Sequence, residues 1–174
     1  MKVAAAIAQI LKREGVESLI AYPVNPVIEA AAAADIRTII VRQERVGLHM
    51  ADAVSRQSSG RKIGVFALQH GPGAENAFGG IAQAYSESVP IVVLAAGYAR
   101  RLNNYGPFFN AYLNYQHITK WIEQLNCPDA TPDVMRRAFS QVRTGRPRPA
   151  VVEIPASLYR GWREPFFCLG PGPW

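Results

Sequence analysis

Glu44 and His70 are the two side chains of this sequence best suited by type and position to move a proton. The β-branched run Thr38-Ile39-Ile40-Val41 stops at Arg42-Gln43-Glu44, and a helical pattern begins there. Glu44 thus falls where a buried strand hands over to a helix. In open α/β sheets ligands gather at the carboxyl ends of strands, so a carboxyl group at such a junction is placed to donate or accept a proton. The competing reading is plain helix chemistry, because acids are common in first turns, where they meet the positive end of the helix dipole. His70 lies at a second strand end, after Ile63–Leu68, and an imidazole there can act as acid or base or simply bond to backbone. His49 lies five residues beyond Glu44 on the same helix and points away from it, and His117 falls in an expected helix with no evident partner.

Between His70 and the next helix lies Gly71-Pro72-Gly73. Glycines after a buried strand let a ligand approach the backbone closely, and the proline stiffens the loop. The loop lacks the Gly-Lys-Ser/Thr ending of a Walker motif and the dinucleotide pattern Gly-x-Gly-x-x-Gly, so a phosphate cradle is unsupported. A tight strand–helix turn accounts for it equally well.

The elements that must position these residues alternate along the chain. Residues 3–13 carry Val3, Ile7, Ile10 and Leu11 at helical spacing, and Gly15 is a helix stop. Ser18–Tyr22 reads as a strand ended by Pro23, and Asn25-Pro26 as the cap and first residue of the helix that continues through Val27–Ala34. A strand at 36–41 and a helix at 44–57 follow, then the strand at 63–68, a helix from about Ala74 to Ser86 and a strand at 91–95. The stretch 97–110 is irregular, a helical piece is expected near 115–124, Thr131-Pro132 opens a helix through Val142, and Ala150–Ile154 is a last strand. Strands apolar on both faces, alternating with helices, predict an α/β fold: a three-layer, doubly wound, mostly parallel sheet with helices on both faces.

The totals narrow the function. A chain of 174 residues with 49% apolar and 18% charged residues builds one globular core. The net charge of +6 is scattered in short groups such as Lys12-Arg13 and Arg136-Arg137, without a basic stripe interleaved with aromatics, so nucleic acid is not an expected partner. Cys127 and Cys168 lack metal spacing and support no disulfide framework, and no metal ligand set is expected. No signal pattern or membrane-length apolar run is evident, and a cytoplasmic location without membrane contact is expected. Residues 161–174, rich in proline, glycine and aromatics, read as a linker or cut end after a domain spanning 1–160.

Several stretches, taken in order, resemble the pyrimidine-binding (PYR) domain of thiamine-diphosphate enzymes, the acetolactate synthase and 2-oxoacid decarboxylase family. They are Gly15-Val16-Glu17, Ala21-Tyr22-Pro23, Arg42-Gln43-Glu44 through Ala53, Gly71-Pro72-Gly73-Ala74-Glu75-Asn76, Ala84 through Val93, Thr119-Lys120 and Gly145 through Pro155. The resemblance implies a flavodoxin-like PYR fold and gives Glu44 a role: the matching glutamate hydrogen-bonds N1′ of the aminopyrimidine and so favours the imino tautomer that removes the thiazolium proton. It implies that Tyr22, Pro23, Gln69, Gly71, Pro72, Gly73 and Asn76 bind the cofactor beside Glu44, and that His70 faces the reacting centre from the same loop. The implied function is the pyrimidine-binding half of an enzyme that cleaves or forms C–C bonds of small 2-oxoacids, as decarboxylase (lyase) or carboligase (transferase).

The departures from the family pattern carry their own expectations. Val24-Asn25-Pro26 stands where the family has glycine after Tyr-Pro, His70 replaces a smaller residue typical of acetolactate synthases, and either Phe109-Asn110 or Tyr115-Gln116 takes the place of a Phe-Gln motif. The chain holds no Gly-Asp-Gly. In the family that motif binds Mg²⁺ and the cofactor's diphosphate on a separate pyrophosphate-binding (PP) domain. The resemblance therefore implies that the PP domain lies in a longer chain or in a second subunit, as in sulfopyruvate decarboxylases, and that the enzyme is a homo-oligomer, dimer or tetramer. The other reading is a non-catalytic small-molecule-binding or oligomerisation module that keeps the fold.

Overall fold

The computed structural model describes residues 2–23, 25–102 and 108–159. Six parallel strands form one sheet in the order β2-β1-β3-β4-β6-β5. They are β1 (Ser18–Ala21), β2 (Arg37–Ile40), β3 (Gly64–Leu68), β4 (Ile91–Gly97), β5 (Trp121–Gln124) and β6 (Ala150–Pro155). The helices between them are α1 (Val3–Arg13), α2 (Val27–Ala33), α3 (Glu44–Gln57), α4 (Pro72–Ser86), α5 (Ala111–Asn114), α6 (Thr131–Arg143) and α7 (Ala156–Tyr159). The three-layer doubly wound α/β expectation holds.

Side-chain alternation along the strands feeds two separate cores, because successive residues of a strand face opposite sides. Val65 and Ala67 of β3 and Val92 and Leu94 of β4 pack with α1, α2 and α6. Phe66, Leu68, Ile91 and Val93 pack with α3, α4 and Tyr115. Each helix is amphipathic at the matching period: Ile7 and Leu11 of α1 are fully buried, as are Leu48 and Ala51 of α3.

Local signals terminate the elements as their chemistry requires. Gly15 ends α1 with a left-handed φ of 79°. Asn25 Oδ1 accepts the N–H of Val27 at 3.1 Å and caps α2, one residue before the helix proper. Close approaches press α3 onto the sheet: a Cβ on Gly64 would stand 1.9 Å from the carbonyl oxygen of Ala51, and one on Gly47 would stand 2.4 Å from the Phe66 ring.

The region after β4 departs from expectation. The anticipated helix near 115–124 is instead the short helix α5 at Ala111–Asn114, a turn holding His117, and the edge strand β5. β5 pairs with β6 alone, from Trp121↔Ala150 to Gln124↔Glu153. All four of its residues are half-buried, so no alternation marks them as a strand. The expected linker at 161–174 lies outside the described residues.

Candidate functional site

The chain reverses its winding between β1 and β3. The helix after β1, α2, packs on one face of the sheet, whereas the helix after β3, α4, packs on the other. Their loops leave a crevice at the carboxyl ends of these adjacent strands, the place where open α/β sheets bind ligands. Backbone and side-chain bonds span it. Tyr22 N–H donates to Ala67 O at 2.9 Å. Asn25 Nδ2 donates to Leu68 O at 3.1 Å and to Leu94 O at 3.4 Å, so the loop after β1 is tied to the tips of both central strands.

Glu44 is the first residue of α3, entered through Gln43 in extended conformation. Its side chain is 4% exposed, which makes it one of the few buried carboxylates in the domain. Asn76 Nδ2 donates to Glu44 Oε2 at 3.3 Å. Among the described residues Oε1 takes no hydrogen bond, and it lies against the first turn of α4: a Cβ on Gly73 would stand 2.8 Å from it and 2.9 Å from Gln69 Cβ. Any larger residue at position 73 would displace the carboxylate.

An aromatic wall adjoins the same loop. The His70 ring meets Tyr98 edge to face at 4.8 Å, and Tyr98 stacks on Phe108 at 4.3 Å. Gly71 has a φ of 60°, and a Cβ there would stand 2.3 Å from Tyr98 Oη, so both its conformation and its neighbour require glycine. Burial, followed by the charge of Glu75, raises the Tyr98 pKa. On the far side of α4's first turn, the Tyr115 hydroxyl donates to Ala74 O. Burial first, then the charges of Glu153, Glu44 and Glu75, push the Tyr115 pKa far above the ordinary tyrosine range, so it remains a donor at any physiological pH.

The structure sorts the residues singled out in the sequence into two groups. Glu44, Gln69, Gly73 and Asn76 converge on the α3–α4 side. Tyr22 packs against the core on that side, and Pro72 is an exposed first residue of α4. Pro23 and His70 line a cleft of about 600 Å³ together with Asn25, Ile28, Ile40 and Ala156, over the carboxyl ends of the strands. His49 is exposed on α3, and His117 is exposed in the turn after α5. No group of three or more His, Cys, Asp or Glu side chains that would hold a metal is present among the described residues. No described helix is long and apolar enough to cross a membrane.

Sequence reasoning missed Tyr98 and Glu153, and it named Tyr115 only as one of two places for a Phe-Gln motif. Glu153 is 4% exposed inside β6, where its Oε2 accepts the N–H of Tyr112 at 2.9 Å. An acid within the apolar run Val151-Val152-Glu153-Ile154 was the available signal, since a buried carboxyl group must find partners. Nothing in the sequence marks Tyr98, which reaches its place only through β4–β3 pairing.

The family model described as "Thiamine pyrophosphate enzyme, N-terminal TPP binding domain" matches residues 1–126. The "Probable acetolactate synthase large subunit" of Methanocaldococcus jannaschii is 34% identical over 166 residues, which cover 92% of this chain and 28% of that protein. "Acetolactate synthase isozyme 3 large subunit" of Escherichia coli is 32% identical over 157 residues, covering 83% of this chain and 26% of that protein. "2-hydroxyacyl-CoA lyase 2" of Xenopus laevis is 32% identical over 154 residues, covering 86% of this chain and 23% of that protein. The chain spans about a quarter of the length of these relatives. A parallel α/β sheet with a buried glutamate at its switch point, and a sequence matched through its first 126 residues, together place the chain in the thiamine pyrophosphate enzyme family as an N-terminal TPP-binding domain of the acetolactate synthase-like kind.

Proposed function

We infer that this domain is the pyrimidine-binding half of a thiamine-diphosphate enzyme that cleaves or forms C–C bonds of 2-oxoacids, with Glu44 as the residue that activates the cofactor. The observation that carries this reading is the Glu44 carboxylate: buried, held through Oε2 by Asn76, and left with Oε1 unbonded among the described residues, against a glycine whose replacement would displace it. A protonatable ring nitrogen such as N1′ fits that donor set, because a buried carboxyl oxygen gains most from a partner that can share its proton. Thiamine diphosphate, when bound, supplies an electron sink for carbanion chemistry.

The chain's own residues then have distinct tasks. Glu44 holds a proton between Oε1 and N1′. Asn76 fixes the carboxylate's rotamer from the α4 side. Gly73 and Gln69 set the depth at which a flat ring can approach. Tyr22 and Pro23 form the opposite wall at the end of β1, and Gly71 and Pro72 fix the loop from which His70 faces the reacting carbon as proton donor or acceptor. The diphosphate and its Mg²⁺ belong on a PP domain elsewhere in the chain or in a partner subunit, and the working enzyme is an oligomer of such units in the cytoplasm.

The test is Glu44→Gln in the assembled enzyme. Loss of a proton-sharing group costs about 10²–10⁴-fold in turnover. That loss with bound cofactor retained is the expected result. Unchanged turnover would remove the catalytic role and leave a binding or oligomerisation module.

A further inference from the structure

The cleft lined by Pro23, His70, Ile28, Ile40, Ala96 and Ala156 does not include Glu44, and beyond Pro23 and His70 the proposed function gives its walls no task. Two of its properties point to a ligand. Its volume of about 600 Å³ is that of a small-molecule site. It lies over the carboxyl ends of β1, β2, β3, β4 and β6, across the crevice where the winding reverses.

The wall chemistry narrows the ligand. Ile28, Ile40, Ala96, Ala156 and the ring edges of Pro23 and Pro26 make it mostly apolar. Ala96 and Ala156, the small residues at the ends of β4 and β6, leave the cleft its width. Ile40 is 52% exposed at the end of the edge strand, an apolar surface open to the cleft. The acidic group on the wall, Glu29, stands exposed at the rim and repels a carboxylate there. His70 is the side chain common to this cleft and to the Gly71–Gly73 loop, so it stands where cleft and reacting centre meet.

We propose that this cleft takes the substituent of the 2-oxoacid, and that the enzyme's substrates carry an extended, branched or aromatic apolar group rather than a lone methyl. This inference rests on the thiamine-diphosphate reading above. The reactive head lies at His70, and the substituent runs over Ile28, Ile40 and Ala156.

The experiment compares pyruvate with 4-methyl-2-oxopentanoate and phenylpyruvate in the assembled enzyme carrying this domain. The wild type is expected to favour the larger acids in kcat/KM by about tenfold or more, the usual value of well-packed extra carbons in an apolar pocket. Ile40→Trp and, separately, Ala156→Leu narrow the cleft, and each is expected to lower the ratio of larger acid to pyruvate by about tenfold. A wild type that prefers pyruvate, or narrowing variants that leave the ratio unchanged, would overturn the cleft assignment while turnover of pyruvate keeps the thiamine reading intact. An enzyme that binds thiamine diphosphate yet turns over none of the three acids would overturn both.

Discussion

The Tyr115 hydroxyl donates to the carbonyl oxygen of Ala74, the residue next to the glycine on which Glu44 Oε1 rests. Tyr115 is fully buried, and Phe109 meets its ring at 5.9 Å. The turn after α5 is thereby fastened to the first turn of α4, and that first turn sets where Glu44 lies. Tyr115→Phe keeps the ring and removes one buried hydrogen bond, while the Ala74 carbonyl keeps its helical partner. It is expected to lower stability by about 0.5–1.5 kcal/mol. Urea unfolding of the two forms, compared at equal m, measures this.

Gly73→Ala is expected to impair activation without unfolding the domain. A methyl group at that position stands 2.8 Å from Glu44 Oε1, the far end of a flexible side chain that can swing aside. The fold survives, but the carboxylate leaves its place, and turnover of the assembled enzyme drops by about 10²-fold, as for other displacements of a positioned group. Gly64→Ala is the contrast. Its methyl group would meet the backbone oxygen of Ala51 at 1.9 Å, and a backbone cannot swing aside. That variant is expected to fail to fold, as judged by loss of its far-ultraviolet circular dichroism and by insolubility.

Glu153 gives the domain a pH dependence with a defined sign. Burial raises its pKa, and the hydrogen bonds from Tyr112 N–H and the Gln124 side chain oppose that rise. The folded state therefore binds this proton more tightly than the unfolded chain does. The stabilisation it brings is complete below the unfolded glutamate pKa and is lost as pH climbs through the raised folded value. Glu153→Gln keeps an acceptor for Tyr112 N–H and removes the titration. The variant is expected to gain stability relative to wild type as pH rises from weakly acid to neutral, and thermal melts across that range will show the two curves diverge. Parallel curves would mean that Glu153 ionises alike in both states.

Leu48 and Leu113 separate core from surface. Leu48 is fully buried between α3, α4 and the sheet, whereas Leu113 is 60% exposed on α5. Leu48→Ala is expected to cost about 2–5 kcal/mol through lost burial and the cavity left behind. Leu113→Ala is expected to stay within about 0.5 kcal/mol of wild type. Chemical denaturation of both variants checks the pair.

Strong local signals were readable in the sequence, and long-range ones were not. The bounds of α3, the stop at Gly15, the strand–loop–helix at 64–86 and the position of Glu44 at a strand–helix junction all follow from local periodicity and turn chemistry. β5 did not follow. Trp121-Ile122-Glu123-Gln124 is short and half-buried throughout, and its Glu123 pairs with Arg137 on α6. Two apolar residues followed by an acid and an amide read as part of a helix until the partner strand is known. The same limit hid the aromatic wall. His70 was visible as a strand-end imidazole, but Tyr98 and Phe108 reach it only through pairing of β3 with β4 and the path of the chain beyond.

Strand order also bears on the sequence of events in folding. Glu44, Gln69, Gly73 and Asn76 all lie between the end of β2 and the first half of α4, and the strands that gather them, β1, β2 and β3, are complete by Leu68. The pairing of β4 with β6 must wait until β5 and α6 have been laid down between them. On a chain emerging from the ribosome, the residues around Glu44 meet one another before the strand that completes the sheet has been made, and the carboxylate finds its place in a half-built domain.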